Sequence, residues 1–455
     1  MNIYNKRILI IAEHASLKFG GEAALPLHYF RVLRKRQIEV WLIVHERTKE
    51  ELINLFPDEG DRIYFIKDTF VHLLLWRCGK FLPKKLAYFT FGSLLRLTTQ
   101  ITQRRIAKQV ILEKKIDIIH QPIPVSPKEP SLIFNMGVPI VIGPMNGGMT
   151  YPDGFKYMEN FLVRKTVEIG RTLSNFLNFL IPGKRKATTL LVANQRTKEA
   201  LPQKIEGKII ELVENGVDLS IWQKNSNSKF INNNELTFYS QDDQTKQAIK
   251  FVFVGRLVDW KAVDLLINAF KQVLEKLPVE LEIIGDGVER ENLELQVQEL
   301  GLASSNREKL DSQKLMLNEH YIQQPIHFLG WLSQTECAER LQLADILVLP
   351  SLHECGGAVI LEAMSMELPV IATNWGGPAD YVDESCGILV EPKSRDLFID
   401  YLANAMLKLA RSLELRKTMG QAGRQSILEN FDWEKKIDKI LEIYQEAIDR
   451  YIPVK

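Results

Sequence analysis

The sequence predicts an α/β protein made of two doubly wound parallel-sheet domains in series. Short, nearly continuous apolar runs alternate with helical segments along the chain of 455 residues, and this alternation is typical of parallel strands covered by helices on both faces. The chain is longer than one hydrophobic core normally accommodates, which favours two domains. A polar stretch at residues 224–250 separates two series of apolar runs and indicates the linker.

The apolar runs place the strands of each domain. In the first series we expect a helix at residues 23–36 and seven strands, at residues 6–14, 39–44, 62–66, 116–120, 139–143, 189–193 and 209–213. In the second series we expect six strands, at residues 251–254, 281–284, 326–328, 346–349, 370–371 and 388–390. We interpret the polar residues 304–324 as an insertion and expect an amphipathic helix at residues 433–451. The domains are therefore expected at residues 1–218 and 219–431.

The composition excludes several classes of protein. Hydrophobic residues make up 45% and charged residues 25% of the chain, as in an ordinary globular protein, and no apolar run approaches the roughly 18 residues of a membrane span. The four cysteines, Cys78, Cys337, Cys355 and Cys386, show no C-x-x-C spacing. This argues against a zinc site or a disulfide framework and favours a cytoplasmic setting. The apolar N-terminus is interpreted as a first strand and not as a signal peptide.

A strand, a tight loop and a helix follow one another around Glu354. An apolar run precedes this residue, and Gly356 and Gly357 lead into a segment of good helix formers that begins at Ala358. The glycines let backbone N–H groups approach a ligand, and the start of a helix favours an anion. Glu354 and Glu362 flank this anion site, and carboxylates accept hydrogen bonds from hydroxyl groups. The site therefore suits a ligand that has phosphate in the middle and hydroxyl groups at both ends. A nucleotide sugar is such a ligand.

A basic element ends the first strand of the second series. Gly255-Arg256-Leu257 follows the strand, and Lys261 comes shortly afterwards at an expected helix start. An arginine fork and a lysine point charge at the carboxyl edge of a sheet can hold two phosphates, whereas the alternative interpretation is a solvated basic pair. The sequence around Gly285 fits either a turn or a binding site.

The first glycine loop of the chain contains Gly20 and Gly21 followed by Glu22. It lacks the G-x-G-x-x-G spacing that cradles a dinucleotide, so an NAD-dependent dehydrogenase is not favoured.

Four sequence elements together resemble the retaining glycosyltransferases of family 4. They are Gly255-Arg256-Leu257 with Lys261, Glu354-x7-Glu362, Asn215-Gly216-Val217-Asp218 and Phe431-Asp432-Trp433-Glu434, and their order matches over nearly the whole chain. The resemblance implies the GT-B fold, in which two Rossmann-like domains face each other across a cleft. It also implies that residues 1–218 bind the acceptor, that residues 219–431 bind the donor, and that the helix at about 432–455 joins the first domain.

The resemblance also implies a role for each candidate site residue. Glu354 would contact hydroxyl groups of the donor sugar, and Glu362 would bind the ribose. Arg256 and Lys261 would hold the diphosphate and stabilise its charge as it leaves. Further donor contacts would come from Gly20, Gly21, Gly255, Gly285, Gly356, Gly357 and Ala358. The resemblance implies no metal ion and no cofactor besides the nucleotide-sugar donor, with a UDP-sugar favoured, and no D-x-D motif lies at a predicted strand end.

The sequence departs from the family pattern at two places. Asn146 stands where many relatives carry a histidine; an amide can bind a sugar but cannot act as a base, so Asn146 and Gly147 are assigned to the acceptor. The catalytic assignment shifts to His120, which ends a predicted strand facing the expected cleft, although a strand-end histidine is often structural. Ala262 stands where a glycine commonly follows the lysine.

Residues 67–108 are strongly basic, with nine Lys and Arg against one acidic residue, Asp68. Aromatic residues are interleaved with these charges: Phe70, Trp76, Phe81, Tyr88, Phe89 and Phe91. Such a stretch predicts a peripheral contact with an anionic membrane surface and a lipid-linked acceptor. The alternative is an ordinary helix pair with its aromatic residues in the core. Nucleic acid is not expected, because no recognised binding module accompanies the charge.

The sequence therefore predicts a retaining glycosyltransferase. It would move a hexose from a UDP- or GDP-sugar to a hydroxyl acceptor, such as a lipid-linked or polysaccharide glycan precursor. Two alternatives stay open: a nucleotide-sugar 2-epimerase of the same fold, and a non-catalytic nucleotide-sugar-binding protein. The combination of Arg256 and Lys261 with Glu354-x7-Glu362 argues against the epimerase.

Overall fold

The computed structural model describes residues 5–81, 91–159, 174–224, 248–303 and 325–452. The chain divides into two compact units. The first unit contains residues 1–149, 160–216 and 433–455, and the second contains residues 150–159 and 217–432. Most of the predicted linker and the whole predicted insertion at 304–324 lie outside the described residues.

The first unit is built on a parallel sheet of seven strands in the order β3-β2-β1-β4-β5-β6-β7. The strands are β1 (Arg7–Ile11), β2 (Glu39–His45), β3 (Ile63–Ile66), β4 (Ile118–Gln121), β5 (Ile140–Met145), β6 (Thr189–Val192) and β7 (Lys208–Glu211). Its helices are α1 (Gly21–Lys35), α2 (Lys49–Leu55), α3 (Phe70–Gly79), α4 (Ser93–Lys114), α5 (Gly183–Lys186) and α6 (Gln195–Glu199).

Strand β1 shows why these runs form a central sheet. Its residues Ile8 and Ile10 belong to one buried apolar cluster, whereas Leu9 and Ile11 belong to another. Successive side chains of a strand point to opposite faces, so a strand that is apolar at every position is covered on both sides.

The C-terminal helix α14 (Trp433–Arg450) completes the core of the first unit. Ile437, Ile440 and Tyr444 are buried in the same apolar cluster as the even-numbered residues of β1. Arg36 at the end of α1 bonds to the Glu434 carboxylate and lies 2.6 Å from Asp438, which ties the two helices together at the surface. The chain therefore returns to the first unit after it has built the second.

The second unit contains a parallel sheet of six strands in the order β10-β9-β8-β11-β12-β13. The strands are β8 (Ile249–Val254), β9 (Val279–Ile284), β10 (Ile326–Gly330), β11 (Ile346–Leu349), β12 (Val370–Thr373) and β13 (Gly387–Val390). Its helices are α7 (Val263–Leu274), α8 (Arg290–Glu299), α9 (Gln334–Gln342), α10 (Ala358–Ser365), α11 (Gly377–Tyr381), α12 (Arg395–Arg411) and α13 (Leu413–Ser426).

Residues 150–159 group with the second unit, although they lie inside the range 1–218 expected for the first domain. Phe155 is fully buried and packs edge-on against Phe398, with their ring centroids 5.8 Å apart. The indole N–H of Trp375 donates to the carbonyl oxygen of Thr150 at 2.7 Å. The sequence pattern does not predict this segment, because it forms no strand and therefore has no apolar run. It is attached to the second unit through single side chains.

The core position of α14 can be tested with Ile440→Ala. We expect the first unit to lose about 2–5 kcal/mol of its free energy of unfolding, because the change removes a fully buried side chain and leaves a cavity. Hydrogen exchange of the β1 and β4 amides measures this loss. Lys439→Ala, the neighbouring exposed position, is the matched control and should change little. Equal exchange in the two variants would contradict the packing of this helix.

Candidate functional site in the second unit

The strand order of the second unit reverses its direction between β8 and β11. From β8 the chain adds β9 and β10 on one side, and it then returns to place β11 on the other side of β8. Ligands of open parallel sheets bind in the crevice outside the carboxyl ends of the strands at such a switch point. The loops that follow β8 and β11 carry Lys261 and Glu354, so the topology brings the predicted site residues to one edge.

Lys261 and Glu354 form an ion pair at this switch point. The two side chains are largely enclosed, with 13% and 18% of their surfaces exposed. The backbone N–H of Leu352 donates to the carbonyl oxygen of Trp260 at 2.8 Å, which joins the two loops directly beside the pair. The contact therefore has backbone support and does not depend on two long side chains alone.

Two glycines permit the loops around the site to touch. A Cβ atom on Gly285, whose φ is +135°, would lie 1.9 Å from the carbonyl oxygen of Gly255. A Cβ atom on Gly377 would lie 2.2 Å from the carbonyl oxygen of Gly356, and the Gly377 N–H donates to the carbonyl oxygen of Glu354 at 2.8 Å. Any other residue at these positions would push the site loops apart.

The site presents an unpaired cation and a helix start. Arg256 is exposed at the end of β8, and its guanidinium has no hydrogen bond or ion pair with the described residues. Helix α10 begins at Ala358, and Gly357 precedes it with φ of +92°. Positive charge at a strand end and free N–H groups at a helix start both favour a phosphate group.

Glu362 lies on α10, about one helical turn after the helix start at Ala358. Burial raises the pKa of its carboxyl from 4.5 to about 7. Within the described parts of the chain this carboxyl has no hydrogen bond or ion pair. A half-enclosed carboxylate of this kind is suited to accept hydrogen bonds from ligand hydroxyl groups.

Ala262 explains why a glycine is common at its position. It adopts φ of +52° and ψ of +37°, the left-handed region, immediately before α7. Residues other than glycine, asparagine and aspartate strain to reach this region, at about 1–2 kcal/mol. The alanine at this helix start therefore carries a conformational cost that a glycine would avoid.

Three residues that the sequence reasoning missed contact the site loops. The ring of Tyr151 lies 5.1 Å from that of His353, measured between centroids, and Trp375 binds the neighbouring backbone. Burial lowers the pKa of His353, so its ring is neutral at neutral pH. The one sequence feature that points to these three residues is the position of His353 directly before Glu354.

His120 was predicted to face an open cleft, and the structure contradicts that placement. The side chain is fully buried in the first unit. Its Nε2 lies 2.6 Å from the carbonyl oxygen of Gly143 and therefore carries the proton, whereas Nδ1 accepts from the hydroxyl group of Tyr444 at 2.6 Å. Burial lowers the pKa of this imidazole to about 4. His120 is a neutral core residue with both ring nitrogens engaged.

Asn146 and Gly147, assigned to the acceptor, also have internal partners. Asn146 is 5% exposed; its amide donates to the Glu214 carboxylate at 2.8 Å, and its carbonyl oxygen accepts from Thr197 and Asn194. The Gly147 N–H donates to Thr197 Oγ1 at 3.0 Å. This buried network holds the end of β5. Gly20 and Gly21 lie at the start of α1, where a Cβ atom would meet nothing within 4 Å.

One cluster in the first unit has the residue types of a metal site: His45, Asp68 and His72. The hydrogen bonds of the two imidazoles do not suit a metal. Nδ1 of His45 accepts from the N–H of Arg47, and Nδ1 of His72 accepts from the N–H of Thr69, so the protons lie on Nε2. A metal-bound imidazole needs the opposite arrangement, with its other nitrogen donating.

Residues 238–426 match the family model described as glycosyl transferases group 1. The matched range lies within the second unit. An uncharacterized glycosyltransferase of Methanocaldococcus jannaschii is 31% identical over 199 residues, which are 44% of this chain and 48% of that protein. Sulfoquinovosyl transferase SQD2 of Arabidopsis thaliana is 29% identical over 240 residues, 50% of this chain and 40% of that protein. The chain thus spans about half the length of these curated relatives.

A solved structure extends the likeness to both units. HepE of Anabaena, crystallised with UDP, has a TM-score of 0.61 and 17% sequence identity, covering 97% of this chain and 100% of that one. Together with the two parallel sheets this confirms the predicted GT-B fold class.

The raised pKa of Glu362 predicts a pH dependence of stability. Between pH 4.5 and about 7 the folded ligand-free protein keeps the proton that the unfolded chain releases, so stability should fall as the pH rises through this window. Glu362→Gln should remove this part of the dependence. Urea unfolding measured from pH 4.5 to 8 tests it, with the exposed Glu339→Gln as control. Parallel curves for wild type and Glu362→Gln would contradict the assigned pKa.

Proposed function

We propose that the protein is a retaining, metal-independent glycosyltransferase of family 4. It transfers a hexose from a nucleotide-diphosphate sugar, with UDP favoured as the nucleotide, to a hydroxyl acceptor. The observation that carries this proposal is the pairing of Lys261 with Glu354 at the switch point of the second unit, beside the unpaired Arg256 and the start of α10. The match of residues 238–426 to the model of group 1 glycosyl transferases supports it.

Each charged residue of the site has a distinct task in this reaction. Arg256 and Lys261 bind the diphosphate, and Glu354 exchanges its bond with Lys261 for bonds from the sugar hydroxyl groups. Glu362 binds the ribose hydroxyls. Negative charge accumulates on the diphosphate as it leaves. Only the interactions that strengthen with this charge lower the barrier and raise the rate.

The bonding changes follow from these positions. The acceptor oxygen bonds to the anomeric carbon, and the bond between that carbon and the diphosphate oxygen breaks, with its electron pair leaving on the phosphate. Retention arises when attack comes from the same face as departure. The leaving phosphate then takes the proton of the acceptor hydroxyl, which agrees with a buried, neutral His120 that cannot receive it.

The acceptor is proposed to be carried on a lipid at an anionic membrane surface. Helix α3 exposes Phe70, Leu73, Leu74 and Trp76, and Phe81 follows it, 88% exposed. The Lys80 ammonium group lies 3.7 Å from the centroid of the Trp76 ring. Apolar side chains with interleaved cations suit the boundary between headgroups and acyl chains. Within the described residues, no helix has the length and apolar character needed to cross a bilayer.

The donor site can be tested by separating nucleotide binding from turnover. Lys261→Ala should weaken UDP binding roughly 10- to 100-fold, because a hydrogen bond to a charged group contributes about 1.5–3 kcal/mol. Glu354→Gln should keep UDP binding and lose most of the transfer from UDP-glucose. Calorimetry and a radiolabel transfer assay measure the two effects.

Lys276→Ala, an exposed lysine beyond α7, serves as the matched control for the lost charge. Unchanged UDP affinity in Lys261→Ala would show that Lys261 does not bind the diphosphate. Full turnover in Glu354→Gln would remove the sugar-binding role. UDP-sugar binding without any transfer across a broad acceptor panel would point to the non-catalytic alternative.

The membrane contact predicts flotation with anionic vesicles. At low salt the full chain should float with vesicles containing phosphatidylglycerol and remain behind with pure phosphatidylcholine, and salt should reverse the binding. Trp76→Ala should reduce flotation several-fold. Trp331→Ala removes a tryptophan of the second unit that is 73% exposed, against 55% for Trp76, and should have no effect. Absent flotation, or equal loss in both variants, would refute this surface.

A further inference from the structure

The first unit contains a cavity of about 420 Å³ at its own switch point, where the sheet order reverses between β1 and β4. Glu13, just after β1, and Gln121, at the end of β4, line it, together with Gln103 from α4. Its volume falls within the range of about 300–1,000 Å³ that is usual for small-molecule sites. None of the site residues assigned from the sequence lines this cavity, although Glu22 of the first glycine loop does.

Two buried glutamine side chains, Gln103 and Gln121, line the cavity. In each, one end of the amide is hydrogen-bonded within the protein and the other end is available to a ligand. Gln103 is 2% exposed and donates from Nε2 to the carbonyl oxygen of Ala12 at 2.8 Å. Its carbonyl oxygen has no partner among the described residues and remains an acceptor at the cavity wall. Because a carbonyl can only accept, this contact sets which end of the amide is nitrogen.

Gln121 supplies the complementary group. It is 1% exposed, and its Oε1 accepts from the Ser131 hydroxyl at 2.6 Å. That hydroxyl accepts from the N–H of Ile133 and donates its own proton to Gln121. The amino group of Gln121 therefore faces the cavity as a donor without a partner in the described chain. The wall thus offers one fixed acceptor and one fixed donor.

Glu13 adds a carboxylate to this pair. Its only close polar neighbour among the described side chains is Nε2 of His14, 3.6 Å away. Burial raises the pKa of Glu13 to about 7, with the charges of Arg96, Glu129, Arg47 and Glu22 around it. At pH 8 the group is ionised and accepts hydrogen bonds only.

The charges that line the cavity disfavour an anionic ligand. Arg96 is held by Glu129, with Nε and Oε1 2.5 Å apart. Glu22 accepts from the N–H of Val125 at 3.1 Å. The lining therefore holds three carboxyl groups, those of Glu13, Glu22 and Glu129, against the single guanidinium of Arg96, so negative charge predominates. A phosphate or carboxylate would enter against that charge.

We propose that this cavity binds an uncharged, polyhydroxylated ring, a sugar or a cyclitol, through Glu13, Gln103 and Gln121. Hydroxyl groups both donate and accept, so a wall of two acceptors and one donor with fixed orientations matches them. Phe19, 53% exposed, adds an apolar ring at the rim for the C–H face of the ligand. Resting on the proposed function, we further infer that this ring is the head of the acceptor and carries no phosphate.

Saturation-transfer NMR titration of the full chain at pH 8 tests the proposal. The probes are glucose, galactose, N-acetylglucosamine and myo-inositol, each compared with its monophosphate. We expect at least one neutral ring to bind about tenfold or more tightly than its phosphate. Glu13→Gln should weaken the neutral ring about ten- to a hundredfold, because it loses a hydrogen bond to a charged group, and should shrink the preference over the phosphate.

Glu50→Gln is the matched control, since Glu50 is exposed on α2 and does not line the cavity. Tighter binding of the phosphates, no binding of any neutral ring, or equal effects of the two variants would overturn the proposal. UDP binding, measured on the same samples, separates the two claims. UDP binding without ring binding defeats the cavity assignment alone, and ring binding without UDP binding defeats the proposed donor while the cavity assignment stands.

Discussion

The ion pair between Lys261 and Glu354 joins loops that are 93 residues apart in the chain. Strand order forces this meeting, because β8 and β11 are neighbours in the sheet and both end at the same edge. In the ligand-free protein each charge neutralises the other inside a largely enclosed site. A ligand that brings both phosphate and hydroxyl groups can replace the two halves of the pair together. One that brings only phosphate would leave Glu354 enclosed without a partner, which is costly.

Much of this arrangement was predictable from periodicity. All thirteen strands found in the described parts of the chain occur where apolar runs predict them, because buried parallel strands need apolar residues on both faces. Once the strands are parallel, the residues that follow them must meet at one edge. That is why Arg256, Lys261 and Glu354 could be assigned together without knowledge of any contact. The site in the second unit follows from topology, and topology follows from the apolar pattern.

Side-chain direction was not predictable in the same way. His120 ends a strand, as expected, but Tyr444 from a helix 324 residues later fills the space beside it. Asn146 likewise meets a carboxylate that lies 68 residues away. Gly377 is visible in the sequence, whereas the two carbonyl oxygens that forbid a Cβ atom there are not. The strand pattern locates an edge, but long-range packing decides which side chains at that edge stay accessible.

The net charge of each unit reflects its solvent-exposed surface and does not predict the charge inside its site. Residues 1–218 carry 33 Lys and Arg against 21 Asp and Glu, yet three carboxyl groups and one guanidinium line the cavity of the first unit. The remainder of the chain is acidic overall, yet its site presents Arg256 and Lys261. Solvated charges are screened over about 8–10 Å, so distant surface residues contribute little inside an enclosed site. A few enclosed side chains decide what a site binds. The excess of Lys and Arg at residues 67–108 instead attracts an extended anionic surface that contacts the first unit.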